Sequence, residues 1–288
     1  MTTTSPNQAA TGEMVVATWN NRIRLRFAVR GSGPALVYLH PAGGLFWDEF
    51  LARLTQHYTV YAPIFPGTSP DDTFAIHELD DIFDVVLAYE QALRSLGLEN
   101  VPVVGQSFGG MLAAELSACF PKLFSKVALL DPAGLWSEEH PWSLDFISAP
   151  PEQLPGLLFK DPTAEGPRSM FPPPSGPEEA LDQAVAAIWG FGCMAKFLWP
   201  VPDRGLSKRL HRVTAPTLIM WGEDDRLIPV AYAEEFGRLI PHSRVETVPD
   251  CGHIPQVEHT DHTYATVTDF LAPATPASLS PRAQSERV

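Results

Sequence analysis

The chain of 288 residues has few cysteines, no long apolar run and no excess of basic residues. Cys119, Cys193 and Cys251 cannot all pair with one another and lack metal-ligand spacing, so we expect neither a disulfide framework nor a metal site. No apolar run approaches the roughly 18 residues that span a bilayer, and the N-terminus lacks the basic and apolar regions of a secretory signal. We therefore predict a reduced, cytoplasmic protein with no membrane partner.

The charge balance also limits the partners of the chain. The formal net charge is −14, which argues against binding to nucleic acid or to an anionic membrane. Hydrophobic residues make up 45%, an ordinary value for a globular protein. We expect one large α/β domain, with or without an insertion, that acts on a small molecule. The sequence is compatible with either a monomer or a homodimer.

The two ends differ in composition from the rest of the chain. Residues 1–12 are rich in Thr, Ser, Asn, Gln and Ala, and residues 273–288 have a similar polar and proline-rich character. Segments of this kind bury too little apolar surface to fold by themselves. Both ends are predicted to be disordered.

Between these ends, short apolar runs alternate with segments of helical periodicity. A hairpin is predicted at 14–19 and 22–29, with Asn20-Asn21 at the turn. Further strands follow it, each separated from the next by a helical segment, at residues 35–39, 58–62, 101–104, 127–130, 217–221 and 244–248. Strands that alternate with helices pair mostly in parallel. The predicted fold class is therefore α/β, with a mostly parallel, doubly wound sheet.

Residues 134–206 interrupt this alternation. Prolines are frequent there, no strand-like run is evident, and helices are predicted at 178–189 and 192–197. An irregular helical segment between two strand–helix units is best interpreted as a cap over the carboxyl edge of the sheet. The predicted division is a core of residues 13–133 and 207–272, with 134–206 as a helical cap insertion.

The strand at 101–104 leads into the turn that organises the remaining predictions. Ser107 lies between an apolar run and an Ala/Leu-rich helix, with Gly105 two residues before it and Gly109 two residues after it. A chain that doubles back within one turn has no room for side chains at these flanking positions. The spacing is that of a nucleophile elbow, in which a serine is exposed at the end of a strand. A serine that only caps the helix is the alternative.

A serine nucleophile needs a base, usually a histidine that a carboxylate orients. Of nine histidines, His253 is distinctive because it follows the last predicted strand and precedes the last helix. The carboxyl ends of parallel strands gather at one edge of the sheet, so the loop of His253 is expected to face that of Ser107. We predict structural or exposed roles for the other candidates, His40, His242, His259 and His262.

The acid is predicted to follow the penultimate strand, in the segment 221–229. Asp225 is our choice there, because it gives the order Ser, Asp, His along the chain. Glu223 and Asp224 are interpreted as solvated loop charges. Asp131, at the end of the strand after the elbow helix, is a competing candidate, since a carboxylate there could also reach the histidine.

A serine hydrolase also needs N–H donors for the oxyanion of its tetrahedral intermediate. One is predicted to be the N–H of Phe108, which follows the nucleophile at the start of a helix. The other is predicted in the loop after the strand 35–39. Ala42 is preferred, Gly43 is the alternative, and Pro41 is excluded because proline has no N–H.

Five segments of this chain, taken together and in order, resemble those of the α/β-hydrolase family. They are LHPAGG at 39–44, APIFPGTS at 62–69, GQSFGG at 105–110, WGEDDRLIP at 221–229 and GHIPQVE at 252–258. The resemblance extends from about residue 14 to 272 and implies a hydrolase with a helical cap. It implies Ser107 as nucleophile, Asp225 as acid, His253 as base, and Ala42 and Phe108 as oxyanion donors. Relatives that dehalogenate or open epoxides carry aspartate at the elbow, so Ser107 argues against those activities.

The chain departs from the family pattern at two places. Pro41 stands where most members have glycine after the histidine of the oxyanion loop. The acidic residue that usually precedes the Pro-Gly of the next loop is absent, and Ile64 and Phe65 occupy that region. Neither departure touches the three predicted catalytic residues, but both affect the expected shape of the pocket.

The cap sequence is rich in aromatic residues, several of which are expected to face the cleft. We predict that Trp142, Phe146, Trp189 and Phe197 bind substrate, which implies a mainly apolar molecule. The first hypothesis is a serine hydrolase of carboxylic esters that forms an acyl-enzyme on Ser107, with no cofactor and no metal. The alternative is hydrolysis of a carbon–carbon bond or a lactone by the same residues. A third hypothesis is a small-molecule-binding protein that has this fold but does not catalyse a reaction.

Overall fold

The computed structural model describes residues 12–69, 72–143, 149–150, 153–198 and 203–273. Phe146 and both predicted disordered tails, apart from Gly12 and Pro273, lie outside these residues. Eight strands form one sheet: β1 Gly12–Thr18, β2 Ile23–Arg30, β3 Ala35–Leu39, β4 Thr59–Ile64, β5 Val101–Gln106, β6 Phe124–Leu130, β7 Thr217–Gly222 and β8 Ser243–Val248.

The sheet is mostly parallel and doubly wound, as predicted. The strand order is β1-β2-β4-β3-β5-β6-β7-β8, and only the pairs made by β2 are antiparallel. Alternate strand residues point to opposite faces, so Val103 and Val104 belong to two separate hydrophobic clusters. Apolar side chains therefore cover both faces of the sheet, and the carboxyl ends of β3 to β8 remain free to carry loops.

Nine α-helices are found in the described residues: α1 Glu49–Leu54, α2 Ile82–Ser95, α3 Phe108–Cys119, α4 Leu154–Leu158, α5 Glu165–Met170, α6 Pro177–Leu198, α7 Ala231–Leu239, α8 Pro255–Glu258 and α9 Thr260–Leu271. Three 3₁₀ turns accompany them at Thr73–Glu78, Leu206–Lys208 and Leu210–Arg212. Between β6 and β7, the part of the chain that the structure describes contains helices and turns but no strand.

Helix α6 is one continuous helix, whereas the sequence predicts two shorter helices separated at 190–191. Gly190 and Gly192 cost about 1 kcal/mol each relative to alanine in a helix interior, which is too little to break a 22-residue helix. Its inward-facing residues include Ala180, Ala184 and Ala187, at the spacing of one helical face.

Strand β4 also differs from the prediction, because it continues through Pro63 to Ile64. A proline in a central strand would remove a hydrogen bond on one side. The parallel pairing of β3 with β4 ends at Tyr61, so Pro63 pairs only with Phe27 of β2. Pro63 is therefore tolerated within β4.

The structure offers no candidate for a membrane-spanning helix. Among the described residues, no helix combines the length and the apolar character needed to cross a bilayer.

The turn between β5 and α3 is packed so closely that glycine is required on both sides of Ser107. A Cβ on Gly105 would lie 2.4 Å from the carbonyl oxygen of Gly109, and a Cβ on Gly109 would lie 2.0 Å from that of Leu39. Real Cβ atoms do not approach backbone this closely. The glycines therefore allow α3 to lie directly against the ends of β3 and β5.

Substitution of Gly109 by alanine is expected to destabilise the protein by about 3 kcal/mol or more, since the new methyl group meets backbone that cannot move aside. Urea unfolding followed by circular dichroism would measure the loss. Gly192→Ala is the matched control. Nothing lies within 4 Å of a Cβ there, so the same change is expected to raise helix stability by up to about 1 kcal/mol. Equal stability of Gly109→Ala and wild type would contradict the packing described here.

Candidate active site

Ser107 occupies a strained backbone position at the start of α3. Its φ is 53° and its ψ is −115°, in a region that residues with a side chain rarely adopt. The position is held by backbone hydrogen bonds. The Ser107 N–H donates to Leu130 O at 2.9 Å, and Ser107 O accepts from Met111 N and Ala133 N, both at 3.0 Å. These bonds fix the serine at the carboxyl edge of the sheet.

Ser107, His253 and Asp225 form a continuous hydrogen-bonded chain. The Ser107 hydroxyl lies 2.8 Å from Nε2 of His253, and Nδ1 of His253 lies 2.7 Å from Oδ2 of Asp225. A carboxylate only accepts hydrogen bonds, so the neutral imidazole carries its proton on Nδ1 and presents Nε2 to the serine. All three residues are buried. This arrangement can remove the hydroxyl proton as the oxygen attacks a carbonyl carbon.

The structure distinguishes between the two candidate acids. Asp225 bonds to His253, and its Oδ1 accepts hydrogen bonds from Leu227 N at 2.8 Å and Ile228 N at 2.9 Å. Asp131 makes no hydrogen bond to His253 and accepts one from Gly222 N at 2.9 Å. Asp225 is therefore the carboxylate in contact with the imidazole.

Of the two predicted oxyanion donors, Ala42 borders the same cavity as Ser107, and Phe108 directly follows the serine along the chain. Phe108 is the first residue of α3, so its N–H has no acceptor within the helix. Ala42, Gly43 and Ser107 all border one cavity. Within the described residues, the N–H groups of Phe108 and Ala42 have no hydrogen-bond acceptor. Both groups are thus available to a carbonyl oxygen bound next to the serine.

His40 is not part of this chain but supports the oxyanion loop. Its Nδ1 lies 2.8 Å from Pro41 O, and its Nε2 accepts a hydrogen bond from Phe65 N at 3.1 Å. Burial lowers the pKa of His40 to about 4, although the Pro41 carbonyl acts in the opposite direction. A neutral His40 therefore ties the loop after β3 to the loop after β4.

A cavity of about 1110 Å³ extends from the triad beneath α6. Its wall is mainly apolar and includes Phe46, Trp142, Leu158, Met170, Phe191 and Ile254. Arg26 and Glu13 also border it and form an ion pair at 3.6 Å. Arg26 is on β2, three strands from β5, or about 14 Å at the usual strand spacing.

The family of the chain follows from comparison with known proteins. A family model described as the alpha/beta hydrolase family matches residues 36–267. This chain belongs to that family. The match includes Ser107, Asp225 and His253, and it agrees with the observed sheet order and with the strained turn after β5.

The chain is also similar to individual proteins of known name or structure. The chain is 29% identical over 274 residues to a 2-hydroxy-6-oxo-6-phenylhexa-2,4-dienoate hydrolase of Burkholderia cepacia, covering 88% of this chain and 92% of that protein. A solved enzyme of the same name from Rhodococcus sp. strain RHA1 aligns with a TM-score of 0.66 at 22% identity, covering 91% of this chain and 99% of that one. A membrane phospholipase A aligns with a TM-score of 0.73 at 23% identity, covering 90% of this chain and 85% of that one. These two solved structures share the fold.

The four predicted substrate-binding residues do not lie together at the cavity. Trp142 borders the cavity, and Phe146 lies outside the described residues. Trp189 and Phe197 are absent from the cavity wall, which corrects their predicted position. The Trp189 indole N–H donates to Gly67 O at 2.7 Å, and Phe197 packs against Phe65 with ring centres 5.6 Å apart. Phe197 therefore packs α6 onto the core, and Trp189, which is 40% exposed, ties α6 to the loop after β4.

Several contacts near His253 have no counterpart in the sequence analysis. The His253 N–H donates to Leu158 O of α4 at 2.7 Å, and the Gln106 side chain donates to His253 O at 2.9 Å. Glu258 accepts from Gly252 N at 2.6 Å and from Lys160 N at 2.7 Å. The segment after α4 is therefore bonded to the loop that carries the histidine. Most of these contacts join residues that are distant along the chain, so no local sequence signal indicates them.

Asp131, Asp225 and His253 also present oxygen and nitrogen atoms within 4.8 Å of one another, a grouping that could in principle hold a metal ion. Asp225 and His253 already bond to each other, and His253 bonds to Ser107. A metal ion would have to displace these bonds. The grouping therefore fits proton transfer better than metal binding.

The lowered pKa of His40 makes a prediction about stability. Because the folded protein disfavours the charged imidazole, the contribution of His40 is complete above its ordinary pKa of about 6.5 and is lost as the pH falls toward 4. The unfolding free energy of wild type, relative to His40→Gln, is expected to fall by about 3 kcal/mol between pH 7 and pH 4. Urea unfolding of both proteins across this range provides the measurement. A constant difference would show that His40 does not titrate in this way.

Proposed function

We propose that this protein is a serine hydrolase that cleaves a carbon–carbon bond next to a ketone in a mainly apolar small molecule. The observation that carries the proposal is the hydrogen-bonded Ser107–His253–Asp225 chain at the end of a large apolar cavity. The choice of bond is supported by the relative from Burkholderia cepacia, whose named substrate has a ketone but no ester. Ester hydrolysis, the first hypothesis from the sequence, therefore becomes the second candidate.

The first half of the proposed reaction forms an acyl-enzyme. His253 Nε2 takes the hydroxyl proton as Ser107 Oγ bonds to the ketone carbon, and the N–H groups of Phe108 and Ala42 hold the oxyanion. The carbon–carbon bond then breaks, and the leaving carbon takes the proton from His253. In the diketo tautomer of a 2-hydroxy-6-oxo-dienoate, the electron pair on C5 is delocalised to the C2 carbonyl. That delocalisation makes carbon a feasible leaving group.

The second half is hydrolysis of the acyl-enzyme. His253 removes a proton from water, whose oxygen bonds to the acyl carbon, and then returns that proton to Ser107 Oγ as the acid leaves. Throughout the cycle Asp225 holds the imidazole in one orientation and stabilises its protonated form. No step in this cycle uses a metal ion or an organic cofactor.

Carboxylic ester hydrolysis is the second candidate, and the charge of the cavity favours it. A dienoate carries a carboxylate, and burying an unpaired carboxylate costs several kcal/mol. Among the described residues that border the cavity, Arg26 is the one Lys or Arg, and it pairs with Glu13. Lys160 bonds to Asp224, and Lys196 bonds to Ile76 O and Leu79 O. The undescribed residues of the cap region contain neither Lys nor Arg.

Replacement of Ser107 by alanine tests the nucleophile. Turnover of any substrate is expected to fall by at least about 10⁴-fold, and covalent labelling by a fluorophosphonate is expected to disappear, while the thermal melting curve remains cooperative. Ser95→Ala, on the outer helix α2, is the matched control and is expected to retain both labelling and turnover. Activity retained in Ser107→Ala would refute the proposed nucleophile.

The bond that is cleaved can be decided with three compounds: 2-hydroxy-6-oxo-6-phenylhexa-2,4-dienoate, its methyl ester and p-nitrophenyl butyrate. Carbon–carbon hydrolysis predicts that kcat/KM for the first or second compound, measured by release of benzoate, exceeds that for the third by at least about 100-fold. The opposite ranking would favour the ester. A preference for the methyl ester over the dienoate would agree with the mainly apolar wall of the cavity.

A further inference from the structure

Asp131 is a buried carboxyl group that the proposed reaction does not use. It follows β6 directly, is completely buried, and has a φ of 44°, an unusual conformation for aspartate. One of its oxygens, Oδ1, accepts a hydrogen bond from Gly222 N, and within the described residues Oδ2 has no hydrogen-bond partner. Buried polar atoms without a partner are rare because they are costly, so the position of Asp131 needs an explanation.

That position is beside the catalytic acid. An oxygen of Asp131, an oxygen of Asp225 and a ring nitrogen of His253 all lie within 4.8 Å of one another. Two further titratable groups, Cys251 and Glu258, interact electrostatically with this cluster. Glu258 is occupied by the backbone N–H groups of Gly252 and Lys160. Two carboxyl groups this close together in a buried site do not both ionise.

The hydrogen bonds decide which of the two carries the charge. Asp225 accepts three: from Leu227 N, from Ile228 N and from His253 Nδ1. Asp131 accepts one, from Gly222 N. Burial, followed by the charge of Asp225, raises the pKa of Asp131 well above its usual range, against the smaller opposing effect of the Gly222 N–H. Asp225 is therefore the ionised group, and Asp131 holds a proton.

We propose that Asp131 is a positioning residue for the triad, a neutral carboxyl group that borders Asp225 and becomes the ionised partner of His253 when the charge of Asp225 is removed. The inference rests on the proposed function, because it concerns the imidazolium that forms during serine attack. Without the Asp225 charge, the strongest nearby repulsion on a negative Asp131 is gone. Asp131, which has an oxygen within 4.8 Å of a ring nitrogen of His253, then supplies a carboxylate beside the imidazolium.

A double-mutant cycle tests this inference. In Asp225→Asn, kcat for the best substrate is expected to fall about 10- to 100-fold, compared with roughly 10⁴-fold for an analogous loss in a protease triad. Adding Asp131→Asn is expected to lower kcat by a further 30-fold or more. Asp131→Asn alone is expected to lower kcat about threefold, since its amide oxygen still accepts from Gly222 N. The exposed Asp269→Asn in α9 is the matched control, with no change in either background.

The pH dependence distinguishes this role from a structural one. Asp225→Asn is expected to lose activity as the pH falls and Asp131 takes up a proton. The double variant is expected not to show this loss. A structural role would instead lower kcat by the same factor in both backgrounds and leave the profile of Asp225→Asn unchanged when Asp131 is replaced. Either result would overturn the inference. Should Asp225→Asn fail to fold, Asp225→Ala with and without Asp131→Asn gives the same comparison.

Failure of this inference and failure of the proposed function give different results. If Ser107→Ala retains turnover, the proposed function is wrong and the inference falls with it. If Ser107→Ala is inactive but Asp131→Asn acts equally in both backgrounds, only the role of Asp131 is wrong. Fluorophosphonate titration of active sites in every variant keeps kcat independent of the folded fraction.

Discussion

The close approach of backbone around Ser107 is the constraint on which the rest of the site depends. The carbonyl of Leu39 lies where a side chain of Gly109 would be, and this contact brings the end of β3 against the first turn of α3. The loop after β3 carries Ala42, and the first turn of α3 carries Phe108. This packing contact therefore brings the loop of Ala42 close to the turn that carries Ser107 and Phe108.

The histidine depends on a different kind of support. Gly252 and His253 are bonded to Glu258 and to the carbonyl of Leu158, so the loop of His253 is attached to the segment between β6 and β7 as well as to the sheet. Movement of α4 would therefore displace the backbone that carries the imidazole. The segment between β6 and β7 is thus linked to the base by hydrogen bonds, whereas Ser107 bonds to the end of β6 and Asp225 to N–H groups of its own loop.

The sequence was informative wherever a functional residue lies in the loop after a parallel strand. Ser107, Asp225 and His253 each follow a parallel strand, and parallel strands end at one edge, so the structure brings them together as expected. The residues that attach the segment between β6 and β7 to the rest of the protein were harder to place. Trp189 is 40% exposed and bonds to the loop after β4, whereas Phe197 is buried in the core. The local pattern with two glycines does not reveal that α6 is one continuous helix. The choice of Asp225 over Asp131 depends on the path of the loop after Gly222, which brings two N–H groups and the imidazole to one carboxylate.

The inner face of α6 has a consequence for how such a protein could change its specificity. Ala180, Ala184 and Ala187 form part of the roof over the cavity, and small side chains there leave open the space beneath them. Those methyl groups stand outside the two large hydrophobic clusters on the sheet. Each larger residue at one of these positions would reduce the volume of the cavity without changing the packing of the sheet. Evolution could therefore change the range of accepted molecules here without first having to compensate for lost stability.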